Sequence, residues 1–383
     1  MYLKEVVCDS CGFLCDPGTP VTACPDCGSP LKLRYDFDRM EREVKKDELS
    51  GTGISRYRDL IPLDEPPISL GEGGTPVVLS SSISKDLSGE LYLKLEFVNP
   101  TGSFKDRGTV ITVSKAREWG IEVVADDSSG NAGASLAGYS ARAGLDCTIY
   151  VPASASGGKI VQVKSYGAEL KEVPGPRERA TEKIVEDTAG TNTYYASHNL
   201  SPYFSEGIKT LAYEISEGFE WNPPEHVVVP VGGGALLVGI HSGFQDLARL
   251  GWIDRIPRLH GIQAEACDPV VRAYENSWDR TRPTESGPTI AEGVHISNPD
   301  RGKEILEAIR ATGGVALSVS ESQVKRSIQE LARKEGLFVE PTSAVPLAGL
   351  KQLSDQGVIE SGERVVVPVT GSGLKDIEDW KGF

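Results

Sequence analysis

A chain of 383 residues, at about 150 residues per domain, has room for two to three domains that close their own cores, which excludes a stapled mini-protein. Its 40 Lys and Arg against 55 Asp and Glu leave a net charge of −15, which repels polyanions and excludes nucleic acid as the expected partner. With 39% hydrophobic and 25% charged residues, no apolar run near 18 residues and no basic-then-apolar leader, the chain is expected to be folded, soluble and cytoplasmic, with no membrane partner.

The first 35 residues hold two CxxC pairs, CDSCG and CPDCG, so Cys8, Cys11, Cys24 and Cys27 crowd into the first 27 positions. Each pair is followed by a glycine that lets the knuckle backbone turn beneath the sulfurs. This is metal spacing rather than a disulfide framework, whereas Cys147 and Cys267 lie far apart in apolar surroundings. Four thiolates close a tetrahedral shell and leave no position for water, so a structural zinc is expected. Positions 36–60 turn highly charged, MEREVKKDELSG, and read as a helix and linker. The proline- and glycine-rich cluster PLDEPPISLGEGGTP then opens the main body.

From Leu91 onward short apolar runs alternate with helical patterns: EVVADD, a helix over 132–143, CTIYVP, a helix near Lys159, then AELKEVP. The second half repeats the habit with HVVVPV, a helix over 235–250, RLHGIQAE, VALSV, a helix over 321–334, LFVE and RVVVPV. Such alternation predicts parallel strands under crossover helices, in two α/β units. The string VVVPV occurs at 227–231 and again at 365–369, each time running into a glycine-rich loop. Both are predicted to be buried strands whose carboxyl ends line one crevice, where open α/β sheets bind ligands.

Lys105, in NPTGSFKDRG, precedes a helix expected to start near Arg107. A cation at a helix N-terminus is disfavoured by about 0.3–1 kcal/mol, and the same field eases loss of the proton from an amine that must attack an aldehyde. The alternative is a surface lysine neutralised by Asp106. Ser128, Ser129, Gly130, Asn131, Ala132 and Gly133 fall between a strand and a helix, where free amides cradle a carboxylate or phosphate; an N-cap serine with turn glycines reads equally well. Gly232, Gly233, Gly234 and Ala235 make a second cradle. A dinucleotide loop competes there, with Glu265 as its acidic residue, but Leu237 stands where the third glycine belongs. Thr370, Gly371, Ser372 and Gly373 present a neutral hydroxyl that could bond a ring nitrogen without charging it, or cap a turn. No serine has glycines two positions away on both sides, and no HExxH or P-loop string occurs, which removes support for serine hydrolase, zincin and ATPase readings. The histidines at 198, 226, 241, 260 and 295 show no ligand spacing, and none is expected to act as a base.

Taken in order, GEGGTP, SFKDRG, SSGNAGAS, VGGGALLVG, EPTSA and TGSGLK resemble the threonine synthases, within the fold type II pyridoxal-phosphate enzymes, over most of the chain from Gly71 to Lys375. The ribbon is similar to that of many archaeal and bacterial members. The resemblance implies an α/β, tryptophan-synthase-beta-like fold: two open, twisted, mostly parallel sheets with flanking helices, plus the small zinc ribbon. The expected division is a ribbon over 1–35, a helical linker over 36–60, a large cofactor-binding domain over 61–97 and 201–383, and a small mobile domain over 98–200. Pyridoxal phosphate is expected between the two larger domains, and the family habit is a homodimer.

By resemblance, Lys105 is the Schiff-base lysine and proton shuttle, Asn131 bonds the cofactor's phenolic oxygen, and Gly232, Gly233, Gly234 and Ala235 hold its phosphate. Thr370 faces the pyridine nitrogen, while Ser128, Ser129 and Ala132 line the substrate carboxylate. The reaction implied is that of a carbon–oxygen lyase acting on a small amino-acid phosphate: O-phospho-L-homoserine and water to L-threonine and phosphate. One stretch departs from the family. Similar enzymes carry PYR-x-EG, whose arginine meets the substrate phosphate, whereas this chain reads HNLSPYFSEG, with Phe204 in that place. Lys159, Asn199, Ser201 or Arg177 are the expected substitutes. The departure keeps open a cysteate-synthase-like replacement on O-phosphoserine with sulfite and a serine/threonine dehydratase-like ammonia lyase. A silent ligand-binding homologue also stands, although intact Lys105 argues against it. No segment precedes the ribbon, so regulation like that of the plant enzymes is not expected.

Overall fold

A computed structural model describes residues 2–153, 157–175 and 177–377; the last six positions of the expected large domain lie outside the described residues. Two compact units result, one of Met1–Gly74 with Asn99–Thr210 and the other of Thr75–Val98 with Leu211–Phe383. In chain order, β1 (Leu3–Val7), β2 (Leu14–Cys15) and β3 (Lys32–Tyr35) form a small antiparallel sheet in the order β2-β1-β3. Helix α1 (Phe37–Glu43) follows, started by the Asp36 carboxylate, which accepts from the Arg39 amide at 3.1 Å. Strands β4 (Val77–Leu79) and β5 (Glu90–Lys94) come next and belong to the second unit.

The first unit continues with α2 (Lys105–Glu118), β6 (Val123–Asp126), α3 (Asn131–Ala143), β7 (Asp146–Pro152), α4 (Gly158–Ser165), β8 (Glu169–Val173), α5 (Arg177–Thr188) and β9 (Thr193–Tyr195). Its four-stranded sheet has the order β8-β7-β6-β9 and every pair is parallel. Helix α2 is buried continuously from Asp106 to Ala116, so it lies inside the unit rather than on a face of it. Helix α6 (Pro202–Gly218) begins in this unit and carries the chain into the next. Two glycines bring α2 and α6 into contact. A Cβ on Gly207 would lie 1.8 Å from the Arg107 carbonyl, and one on Gly108 would lie 2.7 Å from the Phe204 ring.

The second unit adds β10 (His226–Pro230), α7 (Ala235–Arg249), β11 (Arg258–Ala264), α8 (Pro269–Glu275), α9 (Gly302–Ala311), β12 (Ala316–Val319), α10 (Glu321–Glu335), α11 (Pro341–Asp355) and β13 (Arg364–Pro368). Its six-stranded sheet runs β12-β11-β10-β13-β5-β4, parallel except for the edge pair β4 and β5. The two VVVPV strings are hydrogen-bonded neighbours, Val227 opposite Val366, so their carboxyl ends lie side by side as expected. Strand β10 is buried at every position, the mark of a parallel strand covered on both faces. The expected LFVE strand does not form: Val339 makes only an isolated bridge to Ser372, because Glu340 and Pro341 already open α11.

Between β10 and β11 the core encloses a polar chain. The Val315 amide donates to His260 Nδ1 at 3.1 Å, which puts the His260 proton on Nε2. That proton is donated to His226 Nδ1 at 2.9 Å, and His226 Nε2 in turn donates to Glu363 Oε2 at 2.8 Å. The His260 imidazole is thus neutral, and burial pushes it down to about 3, with His226 and Arg258 acting in the same direction. A histidine neutral in the fold but protonated in the unfolded chain below about pH 6.5 costs stability as pH falls from there toward 3. The thermal midpoint is expected to fall between pH 7 and pH 5, with a shallower slope in His260→Gln; equal slopes would remove His260 as the cause.

Candidate active site and metal centre

The ribbon places its four sulfurs together: Cys8 Sγ is 3.5 Å from Cys27 Sγ, Cys11 Sγ is 3.5 Å from Cys24 Sγ, and all four lie within 4.8 Å of one another. Sulfurs around a tetrahedral zinc with Zn–S bonds of about 2.3 Å would be about 3.8 Å apart, so the donor set fits that ion. Gly12 and Gly28 sit at φ +82° and +72°, and their amides donate to the carbonyls of Cys8 and Cys24 at 2.9 and 2.8 Å, closing each knuckle. The loop between the pairs is fastened to the first unit. The Pro17 carbonyl accepts from Trp119 Nε1 and Tyr203 Oη, both at 3.1 Å, Thr22 Oγ1 donates to the Tyr195 carbonyl, and Tyr194 Oη donates to the Val21 carbonyl at 3.3 Å.

Lys105 is the first residue of α2, two positions earlier than the sequence predicts, and no side chain caps that helix. The loop leading into it is held by Asp106, whose buried carboxylate accepts from the Thr101 amide at 2.7 Å, from Thr101 Oγ1 and from Ser135 Oγ at 2.7 Å. Asp106 thereby ties the Lys105 turn to α3. The Lys105 amine lies 5.4 Å from the centre of the Phe204 ring.

The Ser128–Ala132 stretch does not form the serine cap. Ser128 Oγ accepts from the Gly130 amide at 3.2 Å, and α3 starts at Asn131 with no side-chain cap, where the helix dipole favours an anion. A Cβ on Gly133 would fall 2.0 Å from the Ser128 carbonyl, so this loop can fold onto the helix only with glycine there.

At the carboxyl end of β6, Asp126 faces His198, which follows the neighbouring strand β9: His198 Nδ1 is 3.0 Å from Asp126 Oδ2 and 3.3 Å from Oδ1. Burial raises the Asp126 carboxyl to about 6, against the charges of Lys105 and Arg177. Burial also lowers His198 well below its ordinary value, with Lys105 pushing in the same direction. Asp127 is bonded to Tyr195 Oη at 2.9 Å and to Thr181 Oγ1.

Among the expected phosphate substitutes, Lys159 is buried in the first turn of α4, Arg177 opens α5 half-buried, and Asn199 is half-buried beyond β9. Ser201 is fully buried with its hydroxyl 3.2 Å from Tyr194 Oη, turned to the core. Phe204 is 2% exposed, and its ring meets the His198 ring edge to face at 6.2 Å.

In the second unit, Gly232, Gly233 and Gly234 join β10 to α7. A Cβ on Gly232 would lie 2.3 Å from the Gly293 carbonyl; Gly234 has φ +100°, and its Cβ would lie 2.6 Å from Ile305. Helix α7 begins at Ala235 with no side-chain cap, so here too the helix dipole favours an anion. Just past β13, Thr370 Oγ1 is 2.9 Å from Ser343 Oγ on α11, which accepts from the Gly371 amide at 2.8 Å and fixes the TGSG turn.

Residues 68–371 match the family described as pyridoxal-phosphate dependent enzyme, and the threonine synthase of Methanocaldococcus jannaschii is 39% identical over 375 residues, 96% of this chain and 92% of that protein. The chain belongs to the threonine synthase family. The threonine synthase of Methanosarcina acetivorans is 35% identical over 98% of this chain and 93% of its own length. Among solved structures, a threonine deaminase from T.th. is similar with a TM-score of 0.63 and 26% identity over 78% of this chain and 92% of that one. Maize serine racemase reaches 0.67 with 23% identity over 80% and 91%. The fold is therefore fold type II, and the chain is a pyridoxal-phosphate-dependent lyase. Among the described residues no helix is long and apolar enough to cross a membrane.

The sequence does not announce Asp126 and His198 as a pair, because β9 has only three residues and carries little strand pattern. The one local signal is the first aspartate of the run EVVADD, 72 positions from the histidine it meets.

Proposed function

We propose that this enzyme converts O-phospho-L-homoserine and water into L-threonine and inorganic phosphate. The observation that carries the reading is the placement of Lys105 at a helix start with no side-chain cap, in a turn that Asp106 ties to α3 through Ser135. When bound, pyridoxal phosphate supplies the electron sink for a substrate Cα carbanion. Lys105 holds the cofactor covalently and moves the proton at Cα. Asn131 bonds the cofactor's phenolic oxygen, the amides of Gly232–Ala235 hold its phosphate, and the neutral Thr370 hydroxyl meets its ring nitrogen without charging it. Ser128, Ser129 and Ala132 receive the substrate carboxylate, and Cys8, Cys11, Cys24 and Cys27 hold zinc.

Arginine at position 204 would place a charge in the tight contact between Gly108 and the Phe204 ring, so the substrate phosphate needs another cation. Arg177 is that cation in this reading, since its charge bears on both Asp126 and His198, as that of Lys105 does. Lys159 and Asn199 complete the phosphate contacts. Loss of a charge-assisted bond worth about 1.5–3 kcal/mol corresponds to a factor of about 10–150. Arg177→Ala is therefore expected to raise KM for O-phosphohomoserine at least about tenfold; an unchanged KM would reject the assignment. The reaction is tested by product mass and released phosphate. Threonine supports it, whereas cysteate from phosphoserine and sulfite, or ammonia and a 2-oxo acid from threonine, without threonine synthesis, would replace it.

A further inference from the structure

We propose that His198 is the catalytic base that takes a proton from the water molecule that adds to Cβ after the substrate phosphate has left Cγ, with Asp126 holding its imidazole in the required tautomer. This assignment rests on the reaction proposed above and adds a residue to it. Three observations carry it. His198 and Asp126 stand at the carboxyl ends of adjacent parallel strands, where sheets of this kind bind ligands, and on the same unit as Lys105. The Asp126 carboxylate spans Nδ1, at 3.0 and 3.3 Å, so the proton of a neutral imidazole resides on Nδ1 and Nε2 keeps its lone pair. The Phe204 ring stands edge to face with the imidazole at 6.2 Å and also lies 5.4 Å from the Lys105 amine, so one apolar wall serves both groups.

That wall and the nearby cations keep the imidazole uncharged and ready to accept. The two carboxylates beside it are already engaged, Asp126 by His198 and Asp127 by Tyr195 and Thr181. Lys105 is occupied with the proton at Cα. In the hydration step one O–H bond of water breaks, its electron pair stays on the oxygen that bonds to the substrate carbon, and the proton passes to Nε2. The imidazolium then returns that proton, through solvent or Lys105, to the carbon that completes threonine, and His198 ends neutral.

The holoenzyme, His198→Gln and Asp126→Asn are compared with O-phosphohomoserine, measuring phosphate, threonine and 2-oxobutanoate together with the thermal midpoint. Glutamine can still donate to Asp126 but cannot take a proton, and asparagine favours the tautomer whose Nε2 carries the proton. Wild type should release about one phosphate per threonine. Each variant should release at least about ten, because loss of a general base slows hydration while elimination continues, with the balance appearing as 2-oxobutanoate and ammonia. A role confined to packing would lower both products together and leave the ratio near one. A ratio near one in either variant with a wild-type-like thermal midpoint overturns the assignment of His198 alone. A wild type that makes no threonine overturns the substrate reading, and this assignment with it.

Discussion

Lys105→Ala is expected to lower threonine formation by at least about 10³-fold while leaving the fold intact. Proton transfer by a positioned side chain is worth about 10²–10⁴ in rate, and covalent attachment of the cofactor is lost with it. The fold survives because Lys105 is a half-exposed first helical residue, where alanine has the best helix propensity and removal of a cation relieves the dipole by about 0.3–1 kcal/mol. Asp106 still anchors the turn through Thr101 and Ser135. Two readouts check the prediction. Thermal unfolding should show a midpoint equal to or slightly above wild type, and the intact mass after borohydride reduction should show no cofactor adduct. An adduct that persists at another lysine, with activity, would reject the assignment.

Cys8→Ser is expected to empty the ribbon of zinc and to unfold it. Apparent zinc binding energies in small Cys-rich folds are about 10–16 kcal/mol, far more than a three-stranded sheet with a two-residue edge strand can supply through its own core. The consequence should reach Trp119, which donates to the Pro17 carbonyl and packs edge to face against Tyr194 at 5.3 Å and Tyr203 at 5.0 Å. Zinc content should fall from about one per chain to none, and the tryptophan fluorescence difference spectrum should report release of the ribbon loop. Freshly purified wild type holding no metal, with all four thiols free to titrate, would overturn the zinc assignment. A Cys8→Ser protein that retains zinc and an unchanged spectrum would overturn the coupling.

What the amino-acid sequence determined by itself are the features encoded within a few neighbouring residues. The CxxC knuckles need only a glycine at positive φ after each pair, and the valine strings need only β-branched side chains in an unbroken run to become buried parallel strands. Lys105 is conspicuous because a cation at a helix start breaks a local electrostatic rule. The glycine cradles likewise follow from strand, small residues and helix in immediate succession. Tertiary structure decided the rest, where the partners are far apart along the chain. Asp126 meets His198 because β6 and β9 are adjacent and parallel, a pairing made across three intervening helices. Phe204 reaches the neighbourhood of Lys105 because Gly108 and Gly207 let two helices touch, which no periodicity in either helix announces. The His260, His226 and Glu363 chain needs β10 beside both β11 and β13 before three isolated polar residues become one satisfied network. Backbone propensity acts over single turns and strands, whereas the burial that makes an imidazole neutral or a carboxylate reluctant to ionise exists only once distant segments have packed around it.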